Sequence, residues 1–408
     1  MFQDRAFFGP MLELSGSLVP SRHAHRRPGD GVKLRGCSGP YSFDMTSVLL
    51  AAILAAQAQA PAAYEVLSDP SDARPYLSRL GEKTQDVWLD GEVLHIACRA
   101  GEGPIELMGG IQMPLKRIGS SDLWLARLKR LDWSRAFVSY AFMGPKPGAP
   151  RFEVWRGTSA PTEPKRETKL SRVEHLEVKS KVLGENRKVT VYLPPVQKER
   201  AGVIVLADGQ GTEAFAQVLQ ALITEGKIRP MAIVGIHSGR YQGDPTKPYD
   251  PKQDLRAREY LEAADPARFD AHLKWVTEEL LPEVRTKFDL SSRREDTGVA
   301  GFSNGGAFAA SAAIRRPDVF GVGMPMSVGV PPKADPPPGP AARFFFAAGE
   351  LEPRFLKGTT AAHERAKALG ADSRLNAFVA GHDPMMWQVA FAQSLPDAFP
   401  PRETGTQR

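Results

Sequence analysis

The sequence has little of what would indicate a metal site, a disulfide framework or a membrane span. Its 408 residues include two cysteines, Cys37 and Cys98, which lie far apart and lack metal-ligand spacing. The apolar run at 48–56 is too short to cross a bilayer, so no stable membrane anchor is expected. The net charge of +6 comes from scattered lysine and arginine, with no basic block and no basic stretch interleaved with aromatics. This distribution argues against a nucleic-acid partner.

The amino-terminal stretch has the pattern of a secretory signal peptide. From Met45 a short apolar run ends in the small-x-small motif AQA at 58–60. We therefore expect residues 45–60 to be a signal peptide cleaved after about Ala60, and the protein to be secreted or periplasmic. Residues 1–44 would then be an over-long, disordered extension. Because no basic segment directly follows Met45, a second interpretation stays open, in which the apolar run is a helical turn in a tail.

Two patterns of secondary structure follow, and a polar linker separates them. Short alternating strands between Gly, Asp and Ser turns at 62–157 predict a β-sandwich domain. A stretch rich in Pro, Thr, Lys and Glu at 158–169 predicts the linker. From 170 to 400, apolar strands alternate with helical segments, which predicts a mostly parallel sheet with helices on both faces. Within this part, 271–287 predicts one amphipathic helix.

The segment GFSNG at 301–305 lies between an apolar strand and an alanine-rich helix. It fits the G-x-S-x-G nucleophile elbow, in which a sharp turn exposes the serine hydroxyl. Side chains at Gly301 and Gly305 would collide with adjacent backbone. Ser303 is therefore the predicted nucleophile, and the N–H of Asn304 is a predicted oxyanion donor. The alternative is a glycine-rich turn between a strand and a helix.

A serine nucleophile of this kind requires a base, and an acid that orients the base. Two histidines follow Ser303 in the sequence. His363 falls among charged residues of a predicted helix, whereas His382 follows a strand, where the base belongs. The acid is expected after the preceding strand, and Glu350 and Glu352 both qualify by position.

Three further positions have predicted roles around this constellation. The loop after the first parallel strand is expected to supply the second oxyanion donor, from the backbone N–H of Gly209 or Gln210. For Asp208 the simplest interpretation is a turn-forming side chain. Asp383 is interpreted as the N-cap of the helix that carries Trp387.

Several segments together resemble the putative-esterase group of α/β-hydrolases, and within it the enterochelin-esterase-like proteins. They are LADGQ at 206–210, RAREY at 256–260, ELLP at 279–282, GFSNGG at 301–306, GELE at 349–352, GHD at 381–383, and Trp387. Their order and spacing match the family across roughly 173–387. The resemblance implies an α/β-hydrolase fold preceded by an immunoglobulin-like sandwich. It also implies hydrolysis of a carboxylic ester of a small molecule, without a metal or an organic cofactor.

The resemblance also assigns roles to individual positions. It implies the same nucleophile and base, Ser303 and His382. It selects Glu352 over Glu350 as the acid, because the family's acid lies three residues past a glycine. Four residues are expected close to the substrate: Asp208, Arg258, Tyr260 and Trp387.

Two departures from the family's pattern affect the expected substrate. Gly211 and Thr212 follow the DGQ turn where enterochelin esterases tend to have an aromatic residue, and Ala380 stands where glycine is common. The first expected substrate is the ester of a siderophore, for example a siderophore that carries ferric iron. The second is a feruloyl or acetyl ester of a polysaccharide. An acyltransferase on the same scaffold and a non-catalytic binding protein are the alternatives. A non-catalytic binding protein would be expected to lack a residue of the triad, whereas the serine, the histidine and the acid are all present in this sequence.

Overall fold

The structure, a computed structural model, describes residues 63–145, 151–195, 199–244 and 250–402. The expected extension and signal peptide lie outside the described residues and stay predictions. The described residues divide into two compact units, residues 240–244 with 250–254, and residues 63–145, 151–195, 199–239 and 255–402. In the described part of the first unit, Tyr241 and Asp254 form an isolated antiparallel bridge.

The amino-terminal part of the second unit consists of short strands and one helix. They are β1 (Glu65–Val66), α1 (Arg74–Leu80), β2 (Gln85–Asp90), β3 (Val93–Arg99), β4 (Glu106–Gly109), β5 (Met113–Pro114), β6 (Lys116–Arg117), β7 (Leu123–Lys129), β8 (Phe137–Met143) and β9 (Glu153–Arg156). One antiparallel sheet has the order β1-β7-β3-β2 with β6 beside β7, and the other has the order β5-β4-β8-β9. Ile96 and Cys98 from the first sheet share a buried cluster with Leu107 and Val138 from the second. The two sheets therefore enclose one core, as a sandwich does.

Burial also determines the chemistry of the Cys98 thiol. Cys98 is 4 % exposed, and desolvation raises its pKa to about 12. A thiol of this kind is inert in the folded sandwich and becomes reactive when the sandwich opens.

The larger part of the second unit is built on an eight-stranded sheet. Its elements are β10 (Arg172–Lys179), β11 (Asn186–Leu193), β12 (Gly202–Ala207), α2 (Thr212–Thr224), β13 (Met231–Ile236), α3 (Leu255–Tyr260), α4 (Pro266–Lys274), α5 (Leu281–Phe288), β14 (Thr297–Phe302), α6 (Asn304–Arg315), β15 (Val322–Met326), β16 (Arg343–Gly349), α7 (Pro353–Ala368), β17 (Ser373–Phe378) and α8 (Pro384–Ala398). The strand order is β10-β11-β13-β12-β14-β15-β16-β17. The six strands from β13 to β17 in this order pair in parallel. The predicted fold class, an α/β-hydrolase domain preceded by an all-β region, is confirmed.

One predicted helix is interrupted. The segment 271–287 was expected to be continuous, but a π-helical turn at Trp275–Leu280 separates α4 from α5. Pro282, in the first turn of α5, has no backbone N–H to donate to the preceding turn. The wider π turn lies directly before this proline, as such turns do where the regular helical ladder is broken. None of the described helices is long and apolar enough to cross a membrane.

Asp383 directly precedes α8 and is fully buried. Its Oδ1 atom accepts a hydrogen bond from the Met386 N–H at 3.0 Å, so the N-cap prediction is confirmed. Its Oδ2 atom faces the Ser139 N–H of β8 at 3.5 Å. Burial raises the pKa of Asp383 to about 7, and the charge of the neighbouring Glu352 acts in the same direction. Hydrogen bonds from the backbone N–H groups of Met386, Ser139 and Met385 lower the pKa and offset this rise only in part.

This raised pKa predicts a pH-dependent stability. Between about pH 4 and pH 7 the folded protein retains a proton on Asp383 that the unfolded chain releases, so the free energy of unfolding falls as the pH rises through this window. Asp383→Asn removes the titration. The free energy of unfolding of the wild type minus that of the variant should therefore decrease by up to about 1.4 kcal/mol for each unit by which the pH rises.

Urea unfolding at several pH values measures this difference. Asp335→Asn is the matched control, because the Asp335 side chain is 83 % exposed. A stability difference between wild type and Asp383→Asn that stays constant from pH 4 to pH 7 would contradict the prediction.

Candidate active site

Ser303 occupies a sharp turn between β14 and α6. Its backbone has φ 58° and ψ −124°, a conformation that costs energy for any residue with a side chain. The Ser303 N–H donates to the Met326 carbonyl at 3.0 Å, which fixes the turn. A Cβ on Gly301 would lie 2.3 Å from the Gly305 carbonyl oxygen, as predicted, whereas a Cβ on Gly305 would meet the Ala207 side chain at 2.9 Å rather than backbone. The segment has the geometry of a nucleophile elbow.

The carboxylate of Glu352 lies against His382. Its Oε2 atom is 2.5 Å from Nδ1 of His382. Its Oε1 atom accepts hydrogen bonds from the Gly349 N–H and from the Ser327 hydroxyl, both at 2.7 Å. Because both oxygens are occupied and the residue is 6 % exposed, the carboxylate has a single orientation.

Glu350 points elsewhere. Its carboxylate forms an ion pair with Arg130 of the sandwich, and its side chain is 24 % exposed, compared with 4 % for Glu352. Of the two glutamates that qualify by position, the structure thus brings Glu352 to His382.

Aromatic rings fix the imidazole of His382. Phe355 stacks on it at a centroid distance of 4.1 Å, and Trp387 meets it edge-on at 5.0 Å. Trp387 in turn stacks on Phe302, the neighbour of Ser303, at 4.1 Å. The Nε2 atom of His382 is buried and has no hydrogen-bond partner among the described residues. No hydrogen bond joins the Ser303 hydroxyl to His382 in the described structure. In serine hydrolases this hydrogen bond often forms or shortens only when the substrate binds.

Ser327 is a member of the site that the sequence analysis missed. It follows β15, has φ 49° and is fully buried. Its hydroxyl donates to Glu352 and accepts from the indole N–H of Trp387 at 2.8 Å. Trp387, which was expected close to the substrate, is therefore bonded internally and only 5 % exposed. Ser327 could have been found from the sequence because it directly follows a strand. However, β15 contains Pro325, and a segment with proline is not predicted as a central strand because proline is rare there.

The predicted oxyanion donors lie at two helix starts. Asn304 is the first residue of α6, so its N–H has no intrahelical acceptor. Its side-chain Nδ2 atom is also buried, without a partner in the described ranges. Gly209 opens a short 3₁₀ turn after β12, and a Cβ there would lie 2.3 Å from the Gly235 backbone. Gln210 bonds through its side chain to Ser238 at 3.0 Å.

Asp208 does more than form a turn. Its φ of 58° is indeed that of a turn residue. Its carboxylate, however, receives two hydrogen bonds from Arg256, at 2.7 and 2.8 Å. A Cβ on Gly305 would lie 3.0 Å from the Asp208 Oδ2 atom, so this ion pair lies against the elbow. Asp208 is thus engaged by Arg256, which the sequence analysis passed over in favour of Arg258.

Two of the residues expected close to the substrate form hydrogen bonds within the protein. Tyr260 is fully buried, and its hydroxyl accepts from the Asp208 N–H at 3.0 Å and donates to the Ile236 carbonyl at 3.3 Å. Arg258 bonds to Asp265 at 2.9 Å, at the start of α4. These side chains are thus turned towards the core and towards a helix cap, and their expected proximity to the substrate stays a prediction. In the part of the chain that the structure describes, no three His, Cys, Asp or Glu side chains are grouped to hold a metal ion.

Comparison with known proteins agrees with this fold. Residues 180–337 match the family described as "Putative esterase". The enterobactin esterase of Shigella flexneri, solved in the presence of enterobactin, is 19 % identical, with a TM-score of 0.60 over 81 % of this chain and 99 % of that chain. The ferric enterobactin esterase of Salmonella typhimurium is 17 % identical, with a TM-score of 0.59 over 80 % and 98 %.

No curated protein matches the chain in sequence. At these identities the likeness to solved structures demonstrates a common fold, which extends over nearly the whole length of the two esterases. The family match covers the elbow, Ser303 included. The chain therefore has the fold of the enterochelin esterases, and its residues 180–337 are similar to the putative-esterase family, as its motifs predict.

Proposed function

We propose that the protein is a serine esterase that hydrolyses a carboxylic ester through an acyl-enzyme. The observation that carries this proposal is the contact between Glu352 and His382. A carboxylate on Nδ1 holds the neutral imidazole in the tautomer whose free Nε2 atom can accept a proton. This Nε2 atom is buried and has no hydrogen-bond partner among the described residues.

The residues divide the reaction into two halves. His382 takes the proton of the Ser303 hydroxyl as the serine oxygen attacks the ester carbonyl, and Glu352 stabilises the imidazolium that forms. The carbonyl oxygen becomes an oxyanion, which accepts hydrogen bonds from the N–H of Asn304 and from that of Gly209 or Gln210. Collapse of the intermediate breaks the ester bond, and the alcohol leaves with the proton from His382. Water, deprotonated by His382, then releases the acid and restores Ser303.

A siderophore ester of the enterochelin kind is the first candidate substrate. The shared two-domain fold supports it, since the enterobactin esterases are matched over almost their full length. One observation favours a second candidate, a feruloyl or acetyl ester of a polysaccharide. Thr212 stands where enterochelin esterases tend to have an aromatic residue, and it is fully buried and donates to the Gly209 carbonyl at 2.7 Å. It therefore supplies no aromatic wall for a triscatecholate siderophore, which weakens the first candidate relative to the second.

Replacement of the nucleophile tests the proposal directly. Ser303→Ala should lower kcat for a short p-nitrophenyl ester by at least about 10³-fold, because the variant lacks the hydroxyl at the elbow that forms the acyl-enzyme. Full-length wild type and variant are compared on this ester, ferric enterochelin and methyl ferulate, with circular dichroism as the folding control. Of ferric enterochelin and methyl ferulate, the substrate with the higher kcat/KM identifies the substrate class. Equal turnover by both proteins would contradict the proposal, and a folded wild type that turns over nothing would favour a binding protein.

The two glutamates form a matched pair of variants. Glu352→Gln should lower kcat by about 10³–10⁴-fold, because the amide cannot stabilise the imidazolium and favours the wrong tautomer. Glu350→Gln should stay within about tenfold of wild type, since Glu350 does not touch His382 and its ion pair with Arg130 is one of several contacts that hold the loop. Steady-state kinetics on the same ester measures both. A larger loss in Glu350→Gln than in Glu352→Gln would transfer the acid role to Glu350.

A further inference from the structure

The residues that carry the acid and the base lie on two neighbouring loops. We call residues 349–352 the acid loop and residues 379–383 the base loop. The Leu351 N–H donates to the Ala380 carbonyl at 3.0 Å, so the loops are hydrogen-bonded to each other. A displacement of one loop therefore moves the other.

Both loops are packed into the core of the sandwich. Leu351 of the acid loop and Val379 of the base loop belong to the same buried cluster as the side chains between the two sandwich sheets. The N–H of Phe137, on β8, donates to the Val379 carbonyl at 3.1 Å. The ring of Phe137 also meets that of Phe378 edge-on at 5.9 Å. The sandwich thus contributes apolar contacts and a backbone hydrogen bond to these loops.

A further contact between the sandwich and the base loop joins two glycines. A Cβ on Gly381 would lie 1.5 Å from the Gly110 carbonyl oxygen, so the two backbones touch directly. A Cβ on Gly110 would lie 2.5 Å from Oδ2 of Asp383 and 3.1 Å from the Val138 side chain. Asp383 follows His382 in the chain and also faces the Ser139 N–H. Any group larger than hydrogen at Gly110 must therefore displace the residue next to the base.

A charged contact holds the acid loop from the same side. Arg130 forms ion pairs with Glu350 and with Asp132 of the sandwich. It also donates to the Ala63 carbonyl at 2.8 Å. Because Arg130 is fixed by sandwich groups, its ion pair connects Glu350, two residues before Glu352, to the sandwich.

We propose that the sandwich positions the catalytic pair, with Gly110, Asp383 and Arg130 as positioning residues that hold the loops of His382 and Glu352. This inference rests on the proposed function and deepens it by giving the sandwich a role in the reaction. A shift of about 1 Å in a catalytic group can cost about 10²-fold in rate, so these contacts affect the reaction without touching the substrate.

Gly110→Ala tests the proposal in the full-length protein. It should lower kcat for the p-nitrophenyl ester by about 10- to 100-fold, while KM changes less than about twofold. Gly101→Ala is the matched control, since a Cβ there meets nothing within 4 Å, and it should behave as wild type. Protection of the buried Cys98 thiol from a thiol reagent verifies that the sandwich stays folded in each variant.

A double-mutant cycle shows whether the effect passes through Asp383. In an Asp383→Ala background the added methyl of Gly110→Ala has room, so its further effect on kcat should be less than about threefold. A folded Gly110→Ala variant with wild-type kcat would overturn the proposal. So would a loss that is equally large in both backgrounds.

A spectroscopic readout separates this inference from the proposed function. The proton on Nδ1 of His382, in its short hydrogen bond to Glu352, should give a strongly deshielded NMR resonance that His382→Gln removes. Gly110→Ala should shift or abolish this resonance, and Gly101→Ala should leave it unchanged. If wild type hydrolysed no ester but the resonance responded in this way, positioning would stand while the function failed. An unchanged resonance in Gly110→Ala would refute the positioning.

Discussion

The contact between Glu352 and His382 is the interaction on which the whole site depends. A buried carboxylate is costly unless its oxygens are satisfied. Here one oxygen faces the imidazole, and the other accepts from the Gly349 N–H and the Ser327 hydroxyl. This arrangement fixes the imidazole tautomer and leaves Nε2 as its free nitrogen. The aromatic rings of Phe355 and Trp387 hold the same orientation through packing.

The sequence predicted those parts of the site that are determined locally or by chain order. The elbow depends on five consecutive residues, and its glycines are required by contacts within the elbow and with the adjacent strand. His382 was predicted as the base because it follows a strand, where a parallel sheet gathers its reactive groups. Residue reasoning alone left Glu350 and Glu352 as alternatives. The difference between them comes from Arg130, which lies 220 residues away in the chain.

The remaining parts depend on contacts that no local pattern encodes. Ser327 was missed because Pro325 interrupts the strand pattern before it, although the parallel ladder tolerates this proline. Arg256 and Arg258 lie on one short helix, and only the fold determines which of them reaches Asp208. The role of Gly110 likewise becomes visible only when the base loop is packed against it. Local sequence therefore defined the chemistry of the site, and the fold defined its supports.

The central claim is that Ser303 is a nucleophile activated by His382. A fluorophosphonate, which forms a covalent bond only with an activated serine, tests it most directly. After incubation with the full-length protein, mass spectrometry of the peptides should find one phosphonylated residue, Ser303, and the adduct should be absent from a folded His382→Ala variant. A folded wild type without an adduct, or with its adduct on another serine, would contradict the account.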